Sequence, residues 1–247
     1  MVSKRPELRK TEDIFNRVMV KDNVAVIARF EVIETGRKFI VANAHLHWDP
    51  EFKDVKLVQT AVLLEDIAKL AKEWSSKEGG DGRIPTFICG DFNSTPDSGV
   101  YELMSNGFVP HNHSDFMNYQ YGPFTEEGLS HSLQLQSAYT KELEFTNWTP
   151  TFKGIIDYIW YSSHSVNVVG VLGGIDKDYI GKTVGFPNWH HPSDHIPILS
   201  QFRFRNINLD KSKRDDFGAF SSSLPAFNQL SDEYNNSTNV RNSARFK

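Results

Sequence analysis

A carboxylate at Asp91 and an amide at Asn93 follow directly on a short apolar run, Thr86 to Cys89. The run reads as a buried strand, and Gly90 to Ser94 as the loop into which it opens. Strand alternation then puts Asp91 and Asn93 on one side and Phe92 on the other. Two oxygen donors so placed suit a hard cation such as Mg2+. The same residues also make an ordinary turn, since Asp, Asn and Ser all favour turns, and alone they do not decide.

Three further polar sites fall at strand ends or interrupt apolar runs. His45 closes the stretch Lys38 to His45, where a lone histidine usually serves a structural hydrogen bond. Asp157 interrupts Gly154-Ile-Ile-Asp-Tyr-Ile-Trp-Tyr161. A buried carboxylate costs on the order of several kcal/mol unless a cation or donor offsets it, which favours a functional role. Asp194 and His195 immediately precede the last strand, although Ser193-Asp-His195 alone is a common kind of loop. Taken jointly, carboxylates, an amide and two histidines gather at the strand ends of one sheet system. Nucleophile elbow, zinc-ligand spacing and glycine-rich phosphate loop are all lacking. The set suits hydrolysis of a phosphate ester by Mg2+-activated water.

The elements that must position these groups alternate between strand and helix, which predicts an α/β layered domain. Asn23 to Ile33 and Lys38 to His45 read as a hairpin around Glu34 to Arg37. Both sides of the second strand are apolar, which predicts a central strand covered on both faces. Leu57, Ala61, Leu64, Ala68 and Ala71, widened by Val58, Val62 and Ile67, recur at helical spacing over about Phe52 to Trp74. Charged residues are expected on the opposite side, and Gly79 to Gly82 as the stop. A shorter helix follows from Pro96 to Ser105, ended by Asn106-Gly107. Residues 108–143 read as a long irregular region, a kind more often functional than decorative. Val166 to Leu172 is expected as the neighbour of the Asp157 strand, and Pro197 to Phe204 as the last strand. Residues 1–13 read as a leader, 14–205 as the folded part and 206–247 as a disordered tail.

Composition narrows the class. A chain of 247 residues with 39% hydrophobic residues buries a sizeable core, and a net charge of −4 leaves any nucleic-acid contact local. The single cysteine, Cys89, excludes an internal disulfide, fits a reducing compartment and reads as a small core residue. No run approaches membrane-spanning length and no signal-peptide core opens the chain, so a soluble intracellular protein without membrane contact is expected.

Gly90-Asp-Phe-Asn93, Ile156-Asp-Tyr-Ile159 and Ser193-Asp-His195, in that order, resemble the signature of the endonuclease/exonuclease/phosphatase superfamily. Asn43-Ala-His-Leu-His-Trp-Asp-Pro-Glu-Phe-Lys-Asp-Val-Lys56 further resembles the poly(A) deadenylases of the carbon catabolite repression–Not complex. So do Asn16 to Asn23, Phe145 to Asp157 and Val169 to Gly173. The resemblance spans roughly residues 14–204 and implies a two-sheet sandwich flanked by helices. It implies 3′-to-5′ removal of AMP from the poly(A) tail of mRNA, with Mg2+ as cofactor, two ions in an intact domain, in the cytoplasm and the nucleus. By motif, Asp91 and Asn93 would hold metal and the attacking water, Asp91 being the candidate general acid/base. His195 would contact phosphate or metal, oriented by Asp157. Asp194 would complete the metal side and His45 would stabilise phosphate charge. Phe152 would stack on adenine, Asn147 would hydrogen-bond near it, and Pro50 would wall the adjoining base.

One departure from the family pattern matters. Its members carry an upstream half that supplies a metal-binding Glu and an early active-site Asn, and leucine-rich repeats that tether them to the complex. None of these is found here, so the chain is expected to be the C-terminal portion of the nuclease domain, with an apolar unpaired sheet face and weak or no activity alone. Its partners would be single-stranded poly(A) and deadenylation-complex subunits. Two alternatives stay open: another phosphodiesterase or phosphatase of the superfamily, and a catalytically dead RNA- or partner-binding fragment.

Overall fold

The computed structural model describes residues 11–76 and 83–205. The proposed stop at Gly79 to Gly82, most of the leader and the proposed tail lie outside the described residues. Asp13, at the leader's end, accepts a hydrogen bond from the Gln120 amide and so ties into the fold.

The main sheet is built from β1 (Ala25–Glu31), β2 (Lys38–His45), β3 (Thr86–Asp91), β4 (Leu135–Ser137) and β5 (Asp157–Ser162), in the spatial order β1-β2-β3-β5-β4. β1 and β2 form the expected antiparallel hairpin, from Ala25 opposite Ala44 to Glu31 opposite Lys38. Its connection turns at Gly36, whose φ of 64° suits a residue without a Cβ. β2 and β3 run parallel, so the chain must cross over between them, and α1 (Lys53–Ser76) makes that crossover. β5 lies antiparallel to both β3 and β4. A second, two-stranded ladder joins β6 (Val166–Val171) to β7 (Ser200–Phe204).

The core forms where α1 meets the sheet. Leu57, Val58, Ala61, Val62, Leu64 and Ile67 are buried as their spacing required, in one cluster with Ala42, Ala44 and Ile88, and Ala71 is buried as well. The polar side of α1 differs from expectation, because Asp54, Lys56 and Thr60 are buried as well. Asp54 accepts from Arg17 Nε at 2.6 Å and Nη2 at 2.9 Å, and from the Tyr121 hydroxyl. The Arg17 guanidinium in turn lies 3.8 Å above the Tyr119 ring. Charge pairing and a cation–π contact thus offset the burial. α2 (Gly99–Asn106) starts on Ser98, whose hydroxyl accepts from the Tyr101 amide, and ends at Gly107 with φ 76°.

Several expectations are corrected. Among the described residues β2 is fully buried on one face only: Ile40, Ala42 and Ala44 face the core, while on the other face Phe39 and Val41 are half-buried and Asn43 and His45 exposed. α1 covers that first face, and β7 reaches only part of the second, through Phe202 on Phe87 and Phe204 on Phe39. Val166 to Val171 does not neighbour the Asp157 strand, because β3 and β4 already occupy both its edges. Asp157 is the first residue of β5 rather than its middle. The last strand begins at Ser200, after Pro197. Residues 108–143 contain β4, the short ladder Phe108–Val109 with Leu129–Ser130, and helical turns at Ser114–Phe116 and Pro123–Glu126. Among the described residues, no helix is long and apolar enough to cross a membrane.

Candidate active site

Sheet register assembles the site. His45 at the end of β2 lies directly opposite Asp91 at the end of β3, and Asp91 lies opposite Asp157 at the start of β5. Because side chains alternate along strands, residues in register share a face. Three distant segments thereby deliver an imidazole and two carboxylates in one row. His45 Nε2 is 3.4 Å from Asp91 Oδ2.

The fourth member, His195, comes from a loop fixed to the same strand ends. Thr146 Oγ1 accepts from the Ile156 and Asp157 amides, both at 3.0 Å, and Thr146 O accepts from Ile196 N at 2.8 Å. Asn147 bridges to His195, and Trp148 N donates to Asp194 O. One short segment therefore locks His195 against the start of β5. His195 Nδ1 sits 2.8 Å from Asp157 Oδ2, which makes Nδ1 the protonated nitrogen and turns Nε2 toward Asp91 Oδ2 at 3.8 Å. Ligand atoms of Asp91, Asp157 and His195 all lie within 4.8 Å of one another.

Electrostatics follow from this packing. Burial pushes the Asp91 carboxyl up; the Asn93 N–H opposes that and the Asp157 charge adds to it. For His195, burial alone lowers the imidazole, but the Asp157 hydrogen bond and the charges of Asp157, Asp91 and Asp194 outweigh it, and the net shift is upward. A site that raises both an acid and a base is suited to proton transfer near neutral pH.

Asn93 reaches the site by a route different from strand alternation. β3 stops at Asp91, and Asn93 takes a left-handed φ of 45°. Its amide N–H donates to Asp91 Oδ1 at 2.8 Å, and its Nδ2 donates to Leu46 O at 3.1 Å. The Lys56 ammonium donates to Asn93 O at 2.8 Å, and burial pushes that ammonium down. Phe92 is fully buried, as alternation required. Cys89 is half-buried, and burial pushes its thiol up, as suits a packing residue.

His45, Asp91, Asn93, Asp194, His195, Pro50, Asn147 and Phe152 all line one cleft of about 800 Å³. Asp157 lies behind His195. Asp194 stands apart from the Asp91–Asp157–His195 cluster, its carboxylate accepting from Asn147 Nδ2 at 3.1 Å. The cleft wall also contains Trp48, Lys53, Lys56, Asp97 and Asp115, which motif reasoning did not single out. A signal for Lys56 existed: it sits beside the apolar stripe of α1, where a lysine needs a reason. For Asp115, which accepts from Gly99 N at 2.7 Å at the start of α2, no local signal existed.

Carboxylate and amide oxygens around a half-buried acid whose ionisation is disfavoured match the donor set of a hard cation. With this geometry, comparison with known proteins is decisive. Residues 21–195 match the Endonuclease/Exonuclease/phosphatase family. The chain belongs to that family. Among curated family relatives it is similar to the "CCR4-Not complex 3'-5'-exoribonuclease subunit Ccr4" of Mycosarcoma maydis, 49% identical over 84% of this chain and 34% of the relative. The subunit of the same name from Schizosaccharomyces pombe is 47% identical over 82% of this chain and 32% of the relative. The chain thus spans about a third of the length of these relatives. In solved structures it resembles ANGEL2, a 2',3'-cyclic phosphatase, in complex with adenosine-2',3'-vanadate, with TM-score 0.61 and 25% identity over 74% of this chain and 62% of that one. It also resembles the human Nocturnin catalytic domain with bound sulfate anion, with TM-score 0.51 and 26% identity over 75% and 54%. The α/β sandwich architecture expected from the motifs is the family's own.

Proposed function

We propose that this chain is the site-bearing part of a Mg2+-dependent 3′-to-5′ exoribonuclease that shortens poly(A) and releases AMP. The observation that carries the reading is the in-register row His45, Asp91, Asp157 with His195 docked on its end. Asp91, with its raised carboxyl, takes the proton of the attacking water as the bond from phosphorus to the departing 3′-oxygen breaks, and that oxygen is protonated from solvent. His195, held in one tautomer by Asp157, faces the scissile phosphate with Nε2, and His45 adds charge stabilisation beside it. Asp91 and Asn93 would hold the cation, with Asp194 and His195 on its flank. When bound it would supply Lewis-acid charge and a more acidic water. Phe152, Asn147 and Pro50, around the same cleft, would receive adenine by stacking and edge contacts. The names of the curated relatives support a place in a CCR4-Not complex.

The test is release of AMP by the purified chain from oligo(A) and oligo(U) in Mg2+, with Asp91→Ala as control. Activity on oligo(A), slower than that of a full-length relative and abolished by Asp91→Ala, is the expected result. Equal cleavage of oligo(U), or cleavage of phosphomonoesters alone, would point to another family activity. RNA binding that survives Asp91→Ala, in a chain that cleaves neither substrate, would make it a binding module.

A further inference from the structure

Among the described residues, Lys56 is the only lysine or arginine that is buried, 5% exposed on α1. A buried ammonium is unfavourable unless a partner compensates it, so its placement needs a use. The charges of Asp49, Asp115 and Asp91 act on it, yet its hydrogen bond goes to a backbone carbonyl, Asn93 O at 2.8 Å. That carbonyl belongs to the turn in which β3 ends beside the cleft. Asn93 holds a left-handed φ of 45°, a conformation that asparagine tolerates but does not enforce.

The surroundings enforce it from several sides. Asn93 N donates to Asp91 Oδ1, Asn93 Nδ2 donates to Leu46 O beyond β2, and Lys56 takes the carbonyl from α1. The next carbonyl, Ser94 O, accepts from the Tyr158 hydroxyl of β5 at 2.8 Å. With Nδ2 committed to Leu46, the side-chain oxygen of Asn93 is the atom left to meet a cation beside Asp91. Lys56 is the tie that carries a positive charge, and a charged donor bonds roughly twice as strongly as a neutral one. It is also the tie that fixes the turn to α1, the crossover between β2 and β3. Water from the cleft would satisfy the same carbonyl without fixing it.

We propose that Lys56 is a positioning residue for the reaction: its ammonium clamps the Asn93 turn and thereby sets where Asp91 and Asn93 present their oxygens. The inference rests on the nuclease reading above and adds a residue to its machinery. It explains a lysine beside the apolar stripe of α1, since a long buried stem carries the charge from helix to turn.

Two measurements on the 247-residue chain test it. In metal-free, 15N-labelled protein, amide hydrogen exchange is read by NMR at Asn93 and, as a control inside β3, at Ile88. Lys56→Met, similar in volume but without the donor, is expected to speed exchange at Asn93 on the order of tenfold and to leave Ile88 unchanged. In Mg2+ with oligo(A), the same variant should lower kcat on the order of tenfold and leave KM unchanged. Lys56→Arg, which keeps a charged donor, should retain most of both. If Lys56→Met does not fold, Lys56→Gln, shorter and uncharged, takes its place with the same expectations. Parent-like exchange at Asn93, or free exchange there in the parent itself, would overturn the clamp. Equal acceleration at Asn93 and Ile88 would make Lys56 a general structural residue. A raised KM at unchanged kcat would make it a substrate contact instead. A parent chain that cleaves no oligo(A) counts against the nuclease reading and takes the role in the reaction with it. The exchange comparison needs neither metal nor RNA and decides the clamp by itself.

Discussion

At the scale of single residues, the His195–Asp157 contact sets the character of the site. The carboxylate fixes the tautomer and holds the imidazolium against the opposing effect of burial. In metal-free protein His195 should titrate above an ordinary histidine, read from its imidazole resonance by NMR. Asp157→Asn should bring that titration down, because it removes the largest upward contribution while burial remains. An unchanged titration would mean that the pair is not formed in solution. For activity, His195→Ala and Asp91→Ala should each lower cleavage by about a hundred-fold or more. Both side chains border the cleft, so unfolding temperatures should stay near the parent's. A variant that loses its fold where the parent keeps it would show a structural role instead.

At the scale of elements, the site depends on how closely β2 and β3 approach. Gly90 has φ 141°, and a Cβ there would lie 1.8 Å from Ala44 O. Gly90→Ala should therefore cost about 3 kcal/mol through strain and overpacking, seen as a lower urea midpoint at unchanged slope. A neutral result would mean that the strands part easily. His131 makes a second, pH-dependent tie, its Nε2 donating to Leu103 O at 2.8 Å and its Nδ1 accepting from Leu133 N at 3.2 Å. Burial pushes His131 down, as it does His47 and His191. Histidines lowered in the folded state bind fewer protons there than in the unfolded chain, so the stability these three contribute falls as pH drops below about 6.5, against the opposite contribution of His195. His131→Gln keeps the donor to Leu103 without the titration, and should flatten part of that fall in unfolding temperature measured from pH 7.5 to 5 (about the range over which histidine titrates). The strands bearing His45 and Asp91 were legible because apolar runs ended abruptly in polar residues. β4 was not: three residues on a sheet edge carry no periodicity, and only β5's open edge calls for them. Without β4, Val166 to Val171 is the natural neighbour of β5.

At the scale of the whole molecule, the described residues leave the main sheet with one face under α1 and another only partly covered. Phe39 and Phe87 on that second face meet Phe204 and Phe202 of β7. Toward β1 the cover runs out: Val26 pairs with Asn43 and Phe30 with Phe39, and both Val26 and Phe30 are exposed, at 64% and 47%. Sequence patterning makes β2 apolar on both sides, which predicts two covers. It could not tell that the described residues supply one and a half, because periodicity reports what a face is made for and not what lies on it. Water against such a face is unfavourable, and among the described residues β1 is also the outermost strand of the sheet. The chain should therefore bind a hydrophobic dye in its native state and self-associate as concentration rises, in sedimentation velocity. Val26→Thr with Phe30→Thr should suppress both. Threonine keeps β propensity, and the contact given up is the stacking of Phe30 on Phe39 at 5.4 Å, so the unfolding free energy should fall by only about 1 kcal/mol. Suppressed association with no larger loss of stability would show that the sheet face, rather than partial unfolding, is what sticks. Association that persists in the double variant would shift attention to other exposed apolar residues such as Trp189.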